Sequence, residues 1–409
     1  MPNGEGAVYV GIDQGEAELQ VCVLGSGPGG NEQRTFAYSG VGIAELIDWL
    51  TLEAGGDRSR LRVAIESPRG AIVEGLLEAG ISVFSLNPKQ LDRFRDRFTV
   101  SGSKDDRLDA RVLADSLRTD EVAFRRLRLD PADLTLLREA SRFEDELKLE
   151  LRRLANRLRS LLQRYHVELL ALVPAADEPW FWSLVELAPT PELGRRLSLK
   201  RAERVLREHR IRRIRAADVI AHLRAIPLPV APGVAEGCSE HVLLLVTQLR
   251  LLDAQLGRCQ TRIERLLDKL TTGEERSEHR DVHILRSLPG AGRYVVATML
   301  VEAHEALRSR DYRALRAQGG AAPVTKQSGR LRMVTMRRAC NERLRHALRQ
   351  WAFNATRLDP RAAAQYKALR SKGHTHARAL RGVIDRLLKL LVAMLENGRP
   401  YDPSLRLVA

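Results

Sequence analysis

Apolar residues follow two different rhythms along this chain. The run Ala7-Val-Tyr-Val-Gly-Ile-Asp13 is short, apolar and closed by an acid, which predicts a buried central strand. Glu18 to Leu24 alternates and predicts the next strand. The Gly- and Pro-rich Gly25 to Gly30 reads as a hairpin or loop, with a third strand over Gln33 to Tyr38. Val41 to Leu52 has helical spacing, and Leu61-Arg-Val-Ala-Ile-Glu66 is another strand ending in an acid. A helix over Gly70 to Ala79 and a strand over Ile81 to Leu86 follow, stopped by Asn87-Pro88. Helical spacing resumes near Leu91 and again from Lys104 to Leu117. Strands first, then helices and strands in turn, predict a mixed α/β sheet of about 120 residues.

Beyond residue 128 the period becomes helical. Asp130-Pro131-Ala132-Asp133 is a helix start, with an N-cap acid, Pro at the first helical position and an acid in the first turn. Leu134, Leu137, Leu147, Leu151, Leu154, Leu158 and Leu161 carry an apolar stripe to about His166. Such a length predicts a coiled-coil arm, with Glu144 breaking its seam. Pro174 to Pro191 interrupts, and a second leucine-rich helix runs from about Glu240 to Leu270. The two could pair as an antiparallel hairpin within one chain or between chains. In the second case Leu147, Leu151, Leu154 and Leu158 form the seam between subunits.

Between the arms lies a basic stretch with Lys200, Arg201, Arg204, Arg207, Arg210, Arg212, Arg213 and Arg215. Interleaved Leu206, Ile211 and Ile214 predict an amphipathic helix with a cationic outer face, suited to a nucleic-acid backbone. Pro227-Leu-Pro-Val-Ala-Pro232 is the linker into the return helix. From Ile284 a helix, then Pro289-Gly-Ala-Gly292, then a second helix make a helix-hairpin-helix pattern. Its Gly290 and Gly292 would let backbone N–H groups approach a phosphate. Arg-rich helices over Arg337 to Val392 complete the chain. The expected domains are therefore 1–128, an α/β domain; 129–275, a coiled-coil region with a basic insert; and 276–409, an all-α domain.

Composition narrows the partner. At 44% hydrophobic, the 409 residues are enough for several globular domains. Net charge is +15 and the pI near 10.2, with 67 Lys and Arg, which favours a polyanion. Nucleic acid is the first candidate and an anionic membrane surface the second. No apolar run approaches a membrane span and the N-terminus lacks the regions of a signal peptide, which points to the cytoplasm. Cys22, Cys238, Cys259 and Cys340 are scattered, as in a reducing compartment, and give no zinc site.

Two constellations carry candidate chemistry. In Gly320-Ala-Ala-Pro-Val-Thr-Lys-Gln-Ser-Gly329 a hydroxyl, Ser328, sits on a Gly-flanked turn. Lys326 precedes it, and Arg330, Arg332, Arg337, Arg338, Arg343, Arg345 and Arg349 follow. A hydroxyl can attack a phosphodiester while guanidiniums hold the phosphate. The same residue types also make an ordinary polar turn. The second constellation is acidic. Asp13 and Glu66 each end an apolar strand, and Asp106 and Asp109 share one helix face. An RNase H-like fold assembles a Mg²⁺ site from such acids, because clustered carboxylates repel until a hard cation neutralises them. Alternatively Asp105, Asp106 and Asp109 pair with Lys104, Arg107 and Arg111.

The chain resembles the DEDD-type insertion-sequence transposases, a family of bridge-RNA-guided recombinases. The resemblance rests on Gly11-Ile-Asp13, Ala64-Ile-Glu66-Ser-Pro, Asn87-Pro88, Lys104-Asp-Asp-Arg-Leu-Asp-Ala-Arg-Val-Leu-Ala114, Ser287-Leu-Pro-Gly-Ala-Gly292 and Ala322-Pro-Val-Thr-Lys-Gln-Ser-Gly329, in that order. Arg338-Ala-Cys-Asn-Glu-Arg-Leu-Arg345 is similar too. It implies an RNase H-like (RuvC-like) N-terminal domain whose Asp13, Glu66, Asp106 and Asp109 bind Mg²⁺. It also implies a coiled-coil dimerisation region and a helical transposase domain whose nucleophile is Ser328. Such a protein joins Ser328 to DNA as a phosphoserine, in a site completed by another subunit. It works as a homo-oligomer, a dimer that becomes a tetramer in the synaptic complex. A structured non-coding guide RNA pairs with target and donor DNA. The other enzymatic reading is a metal-only nuclease or Holliday-junction resolvase, with water as nucleophile. A non-catalytic nucleic-acid-binding protein is the third.

Overall fold

In the computed structural model the chain divides into two compact units, Met1–Pro131 and Ala132–Ala409. The described residues are 6–25, 31–86, 88–97, 105–272, 277–329 and 331–404. Most of the Gly25 to Gly30 loop, Asn87, Lys104 and Arg330 therefore lie outside them.

The first unit is a six-stranded sheet with helices on both faces. Its elements are β1 (Val8–Gln14), β2 (Glu18–Leu24), β3 (Asn31–Ala37), α1 (Gly40–Glu53), β4 (Leu61–Ile65), α2 (Ala71–Glu78), β5 (Ser82–Ser85), α3 (Pro88–Arg95), α4 (Asp106–Thr119) and β6 (Arg125–Arg126). The strand order is β3-β2-β1-β4-β5-β6. β1, β2 and β3 are antiparallel neighbours, β1, β4 and β5 run parallel, and β6 is antiparallel to β5. The alternation of each strand sorts its side chains to two cores. Val10, Ile12, Val21, Val63 and Val83 pack against Leu46, Trp49 and Leu50 of α1 and Ile72 and Leu76 of α2. On the other face Tyr9, Ala64 and Phe84 meet Leu91 of α3 and Val112, Leu113 and Leu117 of α4. The strands expected from the apolar runs are present, and Pro88 opens α3 as its rigid φ permits.

The second unit is almost all helix. Its elements are α5 (Ala132–Tyr165), α6 (Val167–Leu170), α7 (Pro179–Leu187), α8 (Pro191–Arg196), α9 (Leu199–Glu208), α10 (Ala216–Leu223), α11 (Val234–Thr272), α12 (Ser277–Ser287), α13 (Arg293–Glu302), α14 (His304–Arg308), α15 (Tyr312–Gln318), a hairpin of β7 (Val324–Ser328) and β8 (Leu331–Thr335), α16 (Glu342–Leu358), α17 (Pro360–Ser371) and α18 (His376–Asn397). Among the described residues no helix is long and apolar enough to cross a membrane.

The long helices α5 and α11 lie antiparallel within the one chain. Lys269 Nζ donates to Asp133 at 2.7 Å, Cys259 Sγ to the Ala140 carbonyl at 3.3 Å, and Arg157 meets His241 at 3.1 Å. Leu147 and Leu158 are buried in this packing, with Leu151 and Leu154 half-buried against the core. These four leucines thus pack within the chain, the first of the two pairings the sequence leaves open. Nor does Glu144 break the packing. It is buried and accepts from Lys148, Arg293 and Gln260 at 2.9, 2.9 and 3.3 Å. A carboxylate at that depth is tolerable because cations and an amide satisfy it.

One core joins Leu134 to Leu147 of α5 and Cys259 to Leu270 of α11 with the helices from α12 to α18. Helices from both sides of the expected 275/276 boundary thus build one core, and the boundary itself lies outside the described residues. A second core joins the other ends of α5 and α11 with α6 to α10. The basic stretch is shorter as a helix than expected. α9 stops at Glu208, and Arg210 has φ +55°, which no continuing helix allows. Leu206 is buried and Ile211 and Ile214 pack on the second core, but from a turn rather than a helix. Two of its cations are engaged: Arg213 pairs with Glu178, and Arg215 with Asp218 at 2.9 Å. Arg204, Arg207 and Arg212 are exposed, alongside the acids Glu203 and Glu208. The surface is therefore of mixed sign rather than nearly all cationic.

Candidate functional site

The acids of the first unit gather at one end of its sheet. Ile12 of β1 is in register with Ile65 of the parallel β4, so Asp13 and Glu66 follow side by side. Both are half-buried. A Cβ on Gly11 would stand 1.9 Å from the Ala110 carbonyl oxygen. Only glycine therefore lets α4 lie so close to β1, and that contact brings Asp109 to the same end. Asp105, the neighbour of Asp106, is the N-cap of α4 and accepts from the Arg107 backbone at 3.1 Å. Asp106 is exposed in the first turn, and Asp109 is buried.

Asp109 is paired with a residue of another helix. Both of its oxygens are held by Arg95 of α3, at 2.6 and 2.9 Å. Arg95 also reaches Asp92 at 3.1 Å. Burial works against the Arg95 charge, but the hydrogen bond and charge of Asp109 outweigh it, with Asp92 and Glu66 adding to the field, and its pKa rises. Among the described residues no three His, Cys, Asp or Glu side chains stand close enough to share an ion. The expected four-acid site is therefore not assembled as such. Its donors still fit a hard divalent cation in kind. They are all carboxylate oxygens, Asp13, Glu66 and Asp109 lie at the same end of the sheet, and the Arg95 guanidinium supplies positive charge beside Asp109.

Ser328 stands in the second unit, at the tip of a β-hairpin. Gly329 has φ +55°, as the first position of a tight hairpin turn requires. Ser328 pairs with Leu331, Gln327 with Arg332, and Lys326 with Met333. Paired residues share a face and successive residues alternate. Ser328, Lys326, Leu331 and Met333 thus share one face, while Gln327, Arg332 and Val334 take the other. Of the cations expected beside the hydroxyl, Lys326 shares its face and Arg332 does not. The strands are exposed on both sides, Leu331 at 69%. From Tyr312 to Asn341 the sequence has no acid and seven Lys or Arg.

The hairpin is held at its base. The Asn341 backbone N–H donates to the Gln318 carbonyl at 2.8 Å, and its side chain accepts from Leu344 N at 3.0 Å to cap α16. The same side chain donates to Glu302, which also accepts from Arg142 at 3.1 Å and Arg343 at 2.6 Å. Arg343 further holds Asp145 and the Ser141 carbonyl. Arg345 pairs with Glu342 at 2.9 Å. These two guanidiniums, expected to serve a phosphate, are instead engaged in the scaffold; Arg338 and Arg349 are exposed and Arg337 half-buried. In the helix-hairpin-helix, Gly290 has φ +79°, and a Cβ there would stand 2.7 Å from the Ala355 nitrogen. Packing on α16 thus explains this glycine, and only Gly292, the exposed N-cap of α13, has open space around it.

No sequence pattern singles out Arg95 or Glu302, and the role of Asn341 is seen only in the fold. Asn341 had a local signal, an N-cap residue before an apolar period. Glu302 and Arg95 had none, since their partners are distant in sequence.

A chain of this build, a sheet unit with acids at one end and a helical unit carrying an exposed serine hairpin, falls in the transposase class by comparison with known families. Residues 10–167 match a DEDD transposase family of the IS110 group, and residues 282–367 match the transposase IS116/IS110/IS902 family. The mini-circle protein of IS117 from Streptomyces coelicolor is 31% identical over 405 residues, covering 97% of this chain and 95% of the relative. The transposase-like y4uE of Sinorhizobium fredii is 38% identical over 230 residues, covering 56% of this chain and 62% of the relative. The 44.8 kDa protein of insertion element IS116 from Streptomyces clavuligerus is 27% identical over 97% of this chain and 96% of its own length. The chain belongs to the IS110/IS116 family of transposases. Its DEDD domain is RNase H-like, in keeping with the six-stranded sheet.

Proposed function

We propose that the chain is a cytoplasmic RNA-guided DNA recombinase that moves an insertion sequence, with Ser328 as its nucleophile. The observation that carries this reading is the exposed serine at the tip of a hairpin in an acid-free cationic segment. The Ser328 Oγ attacks a DNA phosphorus, the bond from that phosphorus to one deoxyribose oxygen breaks, and the serine proton leaves as the departing oxygen gains one. A hydroxyl of the second DNA strand then attacks the phosphoserine, which restores Ser328 and joins the strands. Lys326, on the same face, balances the charge of the phosphate. Asp13, Glu66, Asp106 and Asp109 would hold Mg²⁺, which when bound offsets charge on phosphate oxygens. Exposed Arg204, Arg207, Arg212, Arg332 and Arg338, with the open Gly292 turn, offer contacts to DNA and to a structured guide RNA. The working form is a homo-oligomer.

The experiment that tests guidance supplies purified protein, element-end DNA and target DNA, with or without an RNA transcribed from the element's non-coding flank. Strand exchange should need the RNA and should move to a new target when its complementary stretch is rewritten. Exchange that runs equally well without RNA would refute guidance.

A further inference from the structure

Asp13, Glu66 and Asp109 lie at one end of the sheet in the first unit, and a guanidinium of the chain is bound to Asp109. Arg95 grips both oxygens of Asp109, Nε to Oδ1 at 2.6 Å and Nη2 to Oδ2 at 2.9 Å. The side chains are 15% and 7% exposed, so water competes little for either. Asp92 braces the guanidinium from the same helix at 3.1 Å. A two-pronged pair of this kind uses the oxygens that a hard cation needs. The Arg95 charge also offsets those of Asp109, Asp92 and Glu66, all of which act on it. Asp109 itself is fixed by the close packing of α4 on Gly11, whereas an Arg side chain can swing aside without moving the backbone.

We propose that Arg95 is a positioning residue that occupies Asp109 until a divalent cation displaces it, so that the chain binds the cation by exchanging one counter-charge for another. The proposal rests on the reading of Asp13, Glu66 and Asp109 as cation ligands. The pair keeps Asp109 compensated before an ion arrives and makes the site selective, since only an ion that outbids a bound guanidinium can enter.

The test is Mn²⁺ binding to the full-length chain, read from the free-ion EPR signal, with melting temperature followed in parallel. Arg95→Gln should bind Mn²⁺ about tenfold tighter than the wild type, the worth of one charge-assisted hydrogen bond no longer to be broken. It should melt lower than the wild type without Mn²⁺ and recover with it. Arg95→Lys keeps the charge but loses the fork, and should fall between the two. Equal or weaker Mn²⁺ affinity in folded Arg95→Gln would overturn the proposal. Should Arg95→Gln fail to fold, Arg95→Lys decides in the same way: tighter than wild type supports it, equal or weaker refutes it. Asp13→Asn separates the layers. If it leaves Mn²⁺ affinity unchanged, the reading of the carboxylates as ligands fails, and the proposal with it. If it weakens binding while Arg95→Gln does not tighten it, only the role given to Arg95 falls.

Discussion

The Asn341 side-chain amide donates to the buried carboxylate of Glu302 at 2.7 Å, and through that contact the base of the serine hairpin is tied to the helical core. Burial alone would raise the Glu302 pKa. The Asn341 hydrogen bond and the charges of Arg142 and Arg343 win, and hold it below its ordinary value near 4.5. A carboxylate depressed on folding adds stability that is present above its unfolded pKa and is lost as pH falls through the folded one. Melting temperatures taken from pH 7 down through the carboxylate range should therefore fall in the wild type. Glu302→Gln should cost ~3 kcal/mol at neutral pH, since it removes the carboxylate held by Arg142 and one of the two carboxylates held by Arg343, and should then show a flatter acid limb. Equal acid sensitivity in the two proteins would remove Glu302 from the account.

The paired acids at the start of α4 have different tasks. Asp105 caps the helix, and Asn caps as well as Asp, so Asp105→Asn should be nearly neutral for folding and recombination. Asp105→Ala should cost about 1 kcal/mol. Asp106→Asn, by contrast, should lower recombination with melting unchanged. Unfolding curves beside a strand-exchange assay decide it, and a dead Asp105→Asn with an active Asp106→Asn would reverse the assignment.

If the working form is an oligomer built on the long helices, its contact uses their outward apolar positions, because the inward leucines are spent. Leu136 and Phe143 on α5, and Leu244 and Leu251 on α11, are exposed and two helical turns apart. Leu244→Lys with Leu251→Lys should lower the mass seen by light scattering while leaving the melting temperature within a degree or two. Leu147→Lys should unfold the chain instead, by burying a charge within it. An unchanged mass in the double variant would move the interface elsewhere.

Much of this architecture was readable in the residues, for physical reasons. Strands such as Val8–Gln14 are buried on both faces and declare themselves as apolar runs, and the acid that closes the run was visible with it, whereas the contact of Gly11 with α4 was not. The α5 stripe was equally plain, but an apolar stripe states only that something covers it, not whether the cover is the same chain. The basic stretch misled because Arg is counted by charge, and its partners Glu178 and Asp218 are set by the fold. The hairpin was read as a turn, since Val324–Ser328 and Leu331–Thr335 are exposed and carry no burial pattern. Arg95 on Asp109 was hidden for another reason: it is a tertiary pair between two helices, fourteen residues apart.

The central claim is that Ser328 becomes covalently joined to DNA. A hydroxyl on an exposed hairpin has no intrinsic advantage over water except its fixed position beside Lys326 and the phosphate. The decisive measurement is a denaturing gel of the full-length protein after reaction with end-labelled element DNA, guide RNA and Mg²⁺, followed by mass spectrometry of the labelled peptide. The account predicts that the label stays on the wild-type protein, maps to Ser328 and vanishes in Ser328→Ala, which still binds DNA. Cleavage by Ser328→Ala at the wild-type rate, with no labelled protein in either reaction, would contradict it and make water the nucleophile.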